Sequence, residues 1–523
     1  MSGMRNGEKV SVVGSWVFGA GALAMVAFGC GGSGSDTSGP GLSESETVNF
    51  RRNVNAQLDL LFVIDNASST TEVEDKLYQQ IPTFLNVLQS LPAPLDLHVA
   101  VVTTDMGAPG DSTASLGCKI SGDDGAFQSA PRPAPGLGTS CATGLQSGAT
   151  YLADDGNGAT NFTGPIATAL QCILPVGSSG CGFDQPLAAL DRALGADGSL
   201  PSANQGFLRP DAYLAIILLA TEDDCSAPQN TRLFSLNVGG SNQQNIMNAL
   251  GPIARYRCDE FGHLCKDPAS SDPTALIEPP LNPPADAQGT AAAPTLDLAD
   301  CQSNDATGLT TPVSQFVDDI KGLKRDPDNQ IIVAAIAAPA TPYTVAWIPE
   351  QNGQNTQPGE LWPEVLLSCG PQGGADVNPE NPGSANTTDG SAGAPAVRIT
   401  QFVNAFPNSA LASVCDPSYV SVMQAVAGKV AAVPLLPCLT GKIQLNAKGL
   451  PDCSVTAHIE ANQKLTDVAY ENCATTGNAP PCWTLDSNPT CSGQVVNLVE
   501  TTSSQSGTIT CSLCPPGVSA PGC

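Results

Sequence analysis

Basic residues and histidine are scarce in this sequence. Its 523 residues include 21 Lys or Arg against 49 Asp or Glu, which gives a net charge of −28, and 3 His. An acidic surface repels phosphate backbones, so nucleic-acid binding is excluded as a function. His98, His263 and His458 are far apart, and their spacing gives no Ser/His/Asp or Cys/His catalytic grouping. We therefore expect structural roles for the histidines and no enzymatic activity.

Cysteine, by contrast, is abundant, with 19 residues. Without Cys30, ten lie in the region 118–415 and eight in the region 438–523, so each region can close its own bridges. Many cysteines beside few histidines indicate disulfides in an oxidising compartment rather than zinc sites. The sequence does not determine the pairing. Short separation suggests two pairs, Cys172/Cys181 and Cys258/Cys265.

The N-terminus has the pattern of a secretion signal. Arg5 and Lys9 precede an apolar run over 10–28, and Ala27 and Gly29 are small residues just before Cys30. This resembles a bacterial lipoprotein signal, which implies a signal peptide over 1–29 and a lipid on Cys30. The alternative is an uncleaved membrane helix, because the run is close to spanning length.

The following segment, 30–49, is rich in Gly, Ser and acidic residues and predicts a flexible linker behind the lipid-bearing Cys30. The resemblance to lipoprotein signals, with Gly31 after the cysteine, implies an outer-membrane lipoprotein of the cell envelope. The sequence does not show whether the protein faces the periplasm or the cell surface.

A parallel sheet is predicted for the region 50–435. The near-continuous apolar run Gln57–Ile64 is typical of a strand buried on both faces. A helix follows, with a capping box expected from Thr71 and Glu74, and then a second strand over Leu95–Thr104. Strand, helix, strand is a βαβ unit, so the fold class is α/β with a doubly wound, mostly parallel sheet.

The rest of that region supplies further strands and long loops. Apolar runs over Tyr213–Leu219 and Gln330–Ala337 predict central strands, and the segments between them are Gly-, Pro- and Cys-rich insertions. The region 436–523 changes to short strands with eight cysteines and predicts a small disulfide-rich β module.

Acidic and hydroxyl residues follow the predicted strands. Asp65, Ser68 and Ser69 come after the first strand, and Thr221, Glu222 and Asp223 after the Tyr213 strand, while Asp184 precedes a helix. Parallel strands place their carboxyl ends at one edge of a sheet, where ligands bind. Oxygen ligands without thiolate or imidazole suit Mg²⁺ or Ca²⁺.

The run Phe62-Val-Ile-Asp-Asn-Ala-Ser-Ser69 resembles the first metal-site loop of a von Willebrand factor A-type (vWA) domain, whose pattern is Asp-x-Ser-x-Ser. Other stretches resemble the lipoprotein branch of that family: 102–105, 181–187, 207–212, 222–226 and 437–439. The resemblance implies a vWA, Rossmann-like fold and a metal-ion-dependent adhesion site with an open place for a partner's carboxylate.

This adhesion site is degenerate in the present sequence. Asp65 and Ser69 match the pattern, but Ala67 replaces the second hydroxyl of the first loop. Asp184 occupies the position at which the family has Thr. Thr221 occupies the position at which the family has Asp, and Asp223, two residues later, could replace that Asp as a ligand. The expected metal ligands are therefore Asp65, Ser69, Asp184, Thr221 and Asp223, around Mg²⁺ or Ca²⁺.

Three functions follow from these expectations. The first is an envelope lipoprotein whose vWA-like domain binds a protein or surface ligand through a divalent cation. The second is a structural envelope component without a working metal site, in which Asp65 caps the next helix. The third is a metal-assisted hydrolase built on Asp184, Glu222 and Asp223, disfavoured because the sequence shows no nucleophile and base pair.

Overall fold

The computed structural model describes residues 44–51, 56–67, 70–89, 95–108, 118–132, 141, 144–228, 231–235, 250, 255–285, 287–290, 293–349, 361–371, 385–387, 389–431, 438–439, 441–461, 464–487, 494–499, 506–514 and 522–523. The predicted signal peptide and Cys30 lie outside the described residues. Ser68 and Ser69 of the predicted metal loop also lie outside them.

The described helices are α1 (Thr71–Gln89), α2 (Ile166–Ile173), α3 (Pro186–Leu194), α4 (Tyr256–Gly262), α5 (Val313–Gly322), α6 (Pro327–Gln330), α7 (Val397–Asn404), α8 (Val420–Ala431) and α9 (Cys473–Thr476). The described strands are β1 (Glu44–Arg51), β2 (Ala56–Ile64), β3 (Leu95–Thr103), β4 (Leu152–Asp154), β5 (Tyr213–Ala220), β6 (His263–Lys266), β7 (Leu276–Ile277), β8 (Gln288–Thr290), β9 (Ala293–Ser303), β10 (Ile331–Ala337), β11 (Tyr343–Pro349), β12 (Leu361–Val365), β13 (Cys369–Pro371), β14 (Ala385–Thr387), β15 (Ser409–Ser413), β16 (Cys438–Leu439), β17 (Cys453–Ala461), β18 (Lys464–Asn472), β19 (Cys482–Ser487), β20 (Gln494–Val499) and β21 (Ser506–Leu513).

A six-stranded sheet forms the centre of the region 56–431, in the order β15, β10, β5, β2, β3, β4. The four strands predicted from the sequence are β2, β3, β5 and β10. They pair in parallel with one another and with β15, and only the short β4 is antiparallel. Parallel pairing brings the carboxyl ends of β2, β3, β5 and β10 to the same edge.

Both faces of this sheet are covered, which explains the continuous apolar runs. In β2, Leu60 and Phe62 pack into a core with α1, α2 and α8, whereas Leu61 and Val63 pack into a second core with α3, α5 and α7. Successive side chains of a strand point to opposite faces, so a strand covered on both sides needs apolar residues at every position.

Helix α1 begins at the predicted Thr71, but the predicted capping box does not form. The Thr70 carbonyl accepts the N–H of Glu74. The Glu74 carboxylate instead accepts the backbone N–H groups of Val176 and Gly177, more than 100 residues away. The Glu74 carboxylate therefore binds a distant loop and does not cap its own helix, contrary to what the spacing predicted.

The insertions between β5 and α7 build a second sheet, in the order β12, β11, β9, β6, β7. Its core contains Tyr256, Tyr343, Val345 and the fully buried Trp347. Residues 255–303, read from the sequence as loop, therefore contain helix α4 and ordered strands. Val397 of α7 packs into this core. The second sheet therefore lies on the α7 side of the central sheet.

The C-terminal module is a seven-stranded sheet in the order β1, β21, β17, β18, β19, β20, β16. The predicted β module therefore contains a strand from the other end of the chain. β1 pairs with β21 in antiparallel register, from Glu44 opposite Leu513 to Arg51 opposite Ser506. Residues 44–49, predicted as the end of a flexible linker, are instead strand, because β21 offers an edge with which they pair.

Eight disulfides join described cysteines: Cys118–Cys181, Cys141–Cys172, Cys225–Cys258, Cys265–Cys301, Cys369–Cys415, Cys453–Cys511, Cys473–Cys482 and Cys514–Cys523. The two pairs suggested by short separation are wrong, because Cα atoms 4–6 Å apart are set by the fold and not by distance along the chain. All eight stay within the two regions that the even cysteine counts predict. Disulfides in this number are typical of a protein outside the cytosol.

The fold is therefore mixed α/β with several sheets. The expectation of mostly parallel strands holds for the central sheet but not for the chain as a whole. The insertion sheet is antiparallel, and the C-terminal sheet is antiparallel except between β18 and β19. No helix among the described residues is long and apolar enough to cross a membrane.

Candidate functional site

Asp65 lies directly after β2, at the carboxyl edge of the central sheet, and is fully buried. Its Oδ2 accepts hydrogen bonds from the backbone N–H of Thr221, at 2.9 Å, and from the Thr221 hydroxyl, at 2.8 Å. Its Oδ1 accepts the N–H of Ala67 at 2.9 Å. Adjacent parallel strands β2 and β5 thus bring together two of the predicted ligands, Asp65 and Thr221.

Asp184 joins this pair from the loop before α3. Its side chain is buried, its Oδ1 accepts the hydroxyl of Thr104 at 2.9 Å, and its carboxyl group is close enough to Asp65 for the two charges to interact. Burial first, and then the negative charges of Asp65 and Glu222, raise the pKa of Asp184 well above its usual value. We call Asp65, Asp184 and Thr221 the strand-end site.

The strand-end site fits a hard cation by its chemistry. The Oδ2 atom of Asp184 is buried and receives no hydrogen bond from any described residue. Two adjacent buried carboxylates require a proton or a cation between them, because like charges at this distance repel strongly. Among the described residues, no group of three or more His, Cys, Asp and Glu side chains could hold a metal. A cation at the strand-end site would therefore have the carboxylates of Asp65 and Asp184 and, as its third protein ligand, the hydroxyl of Thr221.

Asp223, also predicted as a ligand, accepts hydrogen bonds from the N-terminus of α7. Its Oδ1 accepts the N–H of Ile399 at 3.0 Å, and its Oδ2 accepts the N–H of Arg398 and a nitrogen of His263, both at 2.8 Å. Burial opposes ionisation, but the His263 hydrogen bond and the helix N–H groups lower the pKa of Asp223. Both oxygens are committed to capping α7, whose own N-cap residue, Ala396, supplies no side-chain cap.

The next residues of the same motif cap another helix. Asp224 Oδ1 accepts the N–H of Leu187 at 3.0 Å, and the Ser226 hydroxyl accepts the N–H of Ala188 at 2.8 Å. Helix α3 has Pro at its first position and no side-chain cap of its own. The run 222–226, which resembles the vWA lipoprotein branch, therefore holds the N-termini of two helices at the edge of the sheet.

Arg398 is the cation that compensates Asp224. It is fully buried, and its guanidinium contacts Asp224 Oδ2 at 2.9 Å, the Ser303 hydroxyl at 2.7 Å and the Thr311 carbonyl at 2.6 Å. No local pattern predicts this pair, because 174 residues separate its members. It ties α7 and the insertion sheet to the loop that follows β5.

His263 is buried beside the site, a feature that the sequence analysis missed. Its Nε2 contacts Asp223 Oδ2 and its Nδ1 contacts the Tyr343 hydroxyl, both at 2.8 Å. Asp259 lies 3.7 Å from Nδ1, and burial raises the pKa of Asp259 to about 7. A histidine beside carboxylates would suit a hydrolase, but His263 is only 1% exposed and its described contacts include no Ser or Cys nucleophile.

Arg255, from the residues before α4, closes the site on the outer side. Its Nη1 lies 2.6 Å from Glu222 Oε1, and its Nη2 donates to the Val365 carbonyl at 3.3 Å. Arg255, Glu222 and Asp184 line one cavity of about 10 Å³, together with Asp223 and Asp259. No sequence motif marks Arg255, because it lies in a Cys-containing insertion.

One further motif, 207–212, is structural. Arg209 lies at the opposite edge of the sheet, where its Nε contacts the fully buried Asp59 at 2.7 Å and its Nη1 contacts Asp96 at 2.5 Å. Arg209 compensates the charge of Asp59, a buried carboxylate within strand β2. Resemblance at these residues therefore reflects the fold and not the strand-end site.

Comparisons with known proteins place the structure at a distance from solved ones. Neither a protein-family model nor a curated protein matches the sequence. The structure is similar to the pilus adhesin SpaC of Lactobacillus rhamnosus GG in its open conformation, with TM-score 0.28, 10% identity, and coverage of 89% of this chain and 40% of that chain.

It is also similar to the pilus adhesin RrgA of Streptococcus pneumoniae, with TM-score 0.28, 10% identity, and coverage of 90% of this chain and 58% of that chain. A von Willebrand factor type A protein of Catenulispora acidiphila gives TM-score 0.24, 8% identity and coverage of 92% and 68%. The chain spans less than two thirds of the length of either adhesin. Likenesses this distant carry no argument about function, which must rest on the site itself.

Proposed function

We propose that the chain is a non-enzymatic envelope lipoprotein whose doubly wound, vWA-like domain binds a protein or surface ligand through a divalent cation. One observation carries the proposal: the buried carboxylates of Asp65 and Asp184 adjoin at the carboxyl edge of the central sheet, and Asp184 Oδ2 has no hydrogen-bond donor among the described residues. Mg²⁺ or Ca²⁺ bound there would accept a carboxylate of the partner.

The residues of the chain would divide the work between them. Asp65, Asp184 and Thr221 hold the cation together with the predicted ligand Ser69. Asp223 and Asp224 fix the surrounding loop by capping α7 and α3. The disulfide-linked insertions around this edge give selectivity, since loops on a rigid scaffold carry recognition. Cys30 anchors the chain to the outer membrane, which mass spectrometry of the full-length protein tests by the mass of a lipid on Cys30.

Thermal unfolding tests the cation. Mg²⁺ or Ca²⁺ at about 100 times its dissociation constant stabilises a native protein by about 2.7 kcal/mol, so the melting temperature should rise. Asp65→Asn and Asp184→Asn should abolish the rise. Asp300→Asn is the matched control, because Asp300 is exposed and its positive φ of 47° is one that Asn tolerates. No rise in the wild type at millimolar cation would remove the metal from the proposal.

A structural role without metal is the second candidate. It is favoured by the commitment of Asp223 to α7 and by the ion pair of Arg255 with Glu222, both of which reduce the set of free ligands. Such a protein would bind its partner equally well with and without a chelator.

A further inference from the structure

Arg255 is more exposed than Asp184 of the strand-end site. Its guanidinium forms an ion pair with Glu222 at 2.6 Å, and the two side chains are 24% and 19% exposed. Arg255, Glu222 and Asp184 all line the cavity of about 10 Å³. A cavity of this size has room for one water molecule or one small ion.

Arg255 and a divalent cation would compensate the same negative charge, that of Glu222. Glu222, Asp259 and Glu364 are the carboxylates that act on the guanidinium, and Glu222 also acts on Asp184. The negative charge of Glu222 can therefore be compensated by Arg255 or by a cation near Asp184. Two cations within a few ångströms repel each other, so full binding of one disfavours the other.

The position of Arg255 is fixed by covalent structure. The disulfide Cys225–Cys258 ties the loop after β5 to α4 with a Cα–Cα distance of 5.1 Å, and the N–H of Cys258 donates to the carbonyl of Arg255 at 2.7 Å. The backbone of Arg255 thus stays beside Glu222. Its side chain is partly exposed and is held by two described partners, Glu222 and the Val365 carbonyl.

We propose that Arg255 is a built-in competitor of the divalent cation: its guanidinium covers the strand-end site through Glu222, and cation binding requires its release. This inference rests on the proposed function and adds its regulation. A partner carboxylate that engages Arg255 would free Glu222, so that partner and cation bind cooperatively. The unpartnered Asp184 Oδ2 is the atom that the cation would then reach.

Titration of the full-length protein with CaCl₂ and MnCl₂ by calorimetry tests the competition. Arg255→Ala should bind the cation at least about tenfold more tightly than the wild type, whereas Arg255→Lys, which keeps the charge, should gain little; coupling between two sites is usually fivefold to 150-fold. Arg192→Ala is the control, because Arg192 forms comparable ion pairs with Asp124 and Asp197 elsewhere. Should Arg255→Ala fail to fold, Arg255→Gln replaces it.

Coupling is reciprocal, so the cation must also release Arg255. Phenylglyoxal modification followed by peptide mass spectrometry should show faster labelling of Arg255 with Ca²⁺ present and an unchanged rate at Arg192. A structural ion pair would show no such change.

The outcomes separate this inference from the proposed function. Equal cation affinity in the wild type and Arg255→Ala would overturn the competition and leave the cation function standing. Binding by Arg255→Ala alone would support the competition and would remove cation binding by the wild-type protein from the proposed function. Binding by neither protein would overturn both.

Discussion

Replacing Arg398 with methionine should strongly destabilise the domain that carries the strand-end site. Arg398 is fully buried and joins Asp224 of the loop after β5 to Ser303 of β9 and to the Thr311 carbonyl. Methionine keeps most of the apolar stem but no donor. Asp224, 1% exposed, would then remain as a buried carboxylate without a compensating cation.

The expected loss can be worked out from these contacts. Removing one member of a buried ion pair costs about 3–5 kcal/mol. The Thr311 carbonyl, left without its donor, adds about 1 kcal/mol. Burial already raises the pKa of Asp224 against the opposing charge of Arg398. Without Arg398 that pKa rises further, so the loss should grow as the pH increases and shrink where Asp224 takes up a proton.

Equilibrium urea unfolding with the disulfides intact measures the effect. Fluorescence of Trp347, which is fully buried in the insertion sheet, reports the part that Arg398 holds. The double variant Arg398→Met/Asp224→Asn removes the charge together with its partner. The double variant should lose about 1–3 kcal/mol less free energy of unfolding than the sum of the losses of the two single variants. A single-variant loss below about 1 kcal/mol, or strict additivity, would refute this account of the pair.

Three further predictions concern other parts of the chain. Burial, together with Asp319 and Asp197, raises the pKa of Asp191 from 3.8 to about 7. The native state therefore binds more protons than the unfolded state between these values, so stability falls as the pH rises through that window. Asp191→Asn should stabilise the protein by about 1–3 kcal/mol at pH 8 and have no effect at pH 3.5; an equal gain at both values would contradict the assignment. Asp223→Ala should cost about 1–2 kcal/mol in urea unfolding through loss of the α7 cap, with Asp223→Asn intermediate, and a neutral Asp223→Ala would mean that α7 needs no cap. Deletion of 44–51 exposes the edge of β21 and should lower the unfolding midpoint reported by the buried Trp483, but not that reported by Trp347; an unchanged Trp483 transition would show that β1 is dispensable.

Much of the central fold was predictable because its signals are local. The apolar runs of β2, β3, β5 and β10 depend on neighbouring residues only. Placing Asp65 and Thr221 at one edge followed from parallel pairing, and their hydrogen bonds agree with it. Asp184 also lies where the predicted topology puts it.

The role of each acidic residue was not predictable. Asp223 and Asp184 are both carboxylates after predicted elements, yet one caps α7 and the other presents an oxygen without a described donor. The difference depends on backbone N–H groups 175 residues away in the chain. Glu74 likewise serves a distant loop and not the local cap that its spacing suggests, and burial raises its pKa to about 7.

Composition and pattern alone determined the oxidising compartment, the α/β class and the edge at which polar residues gather, since each depends on residue type or on short spacing. Tertiary structure alone decided which cysteines pair, that β1 joins the C-terminal sheet, that Arg255 pairs with Glu222, and that Arg398 compensates the buried Asp224. Charge compensation and disulfide geometry act through space, and the partners lie in segments whose distance along the chain carries no information about their contact.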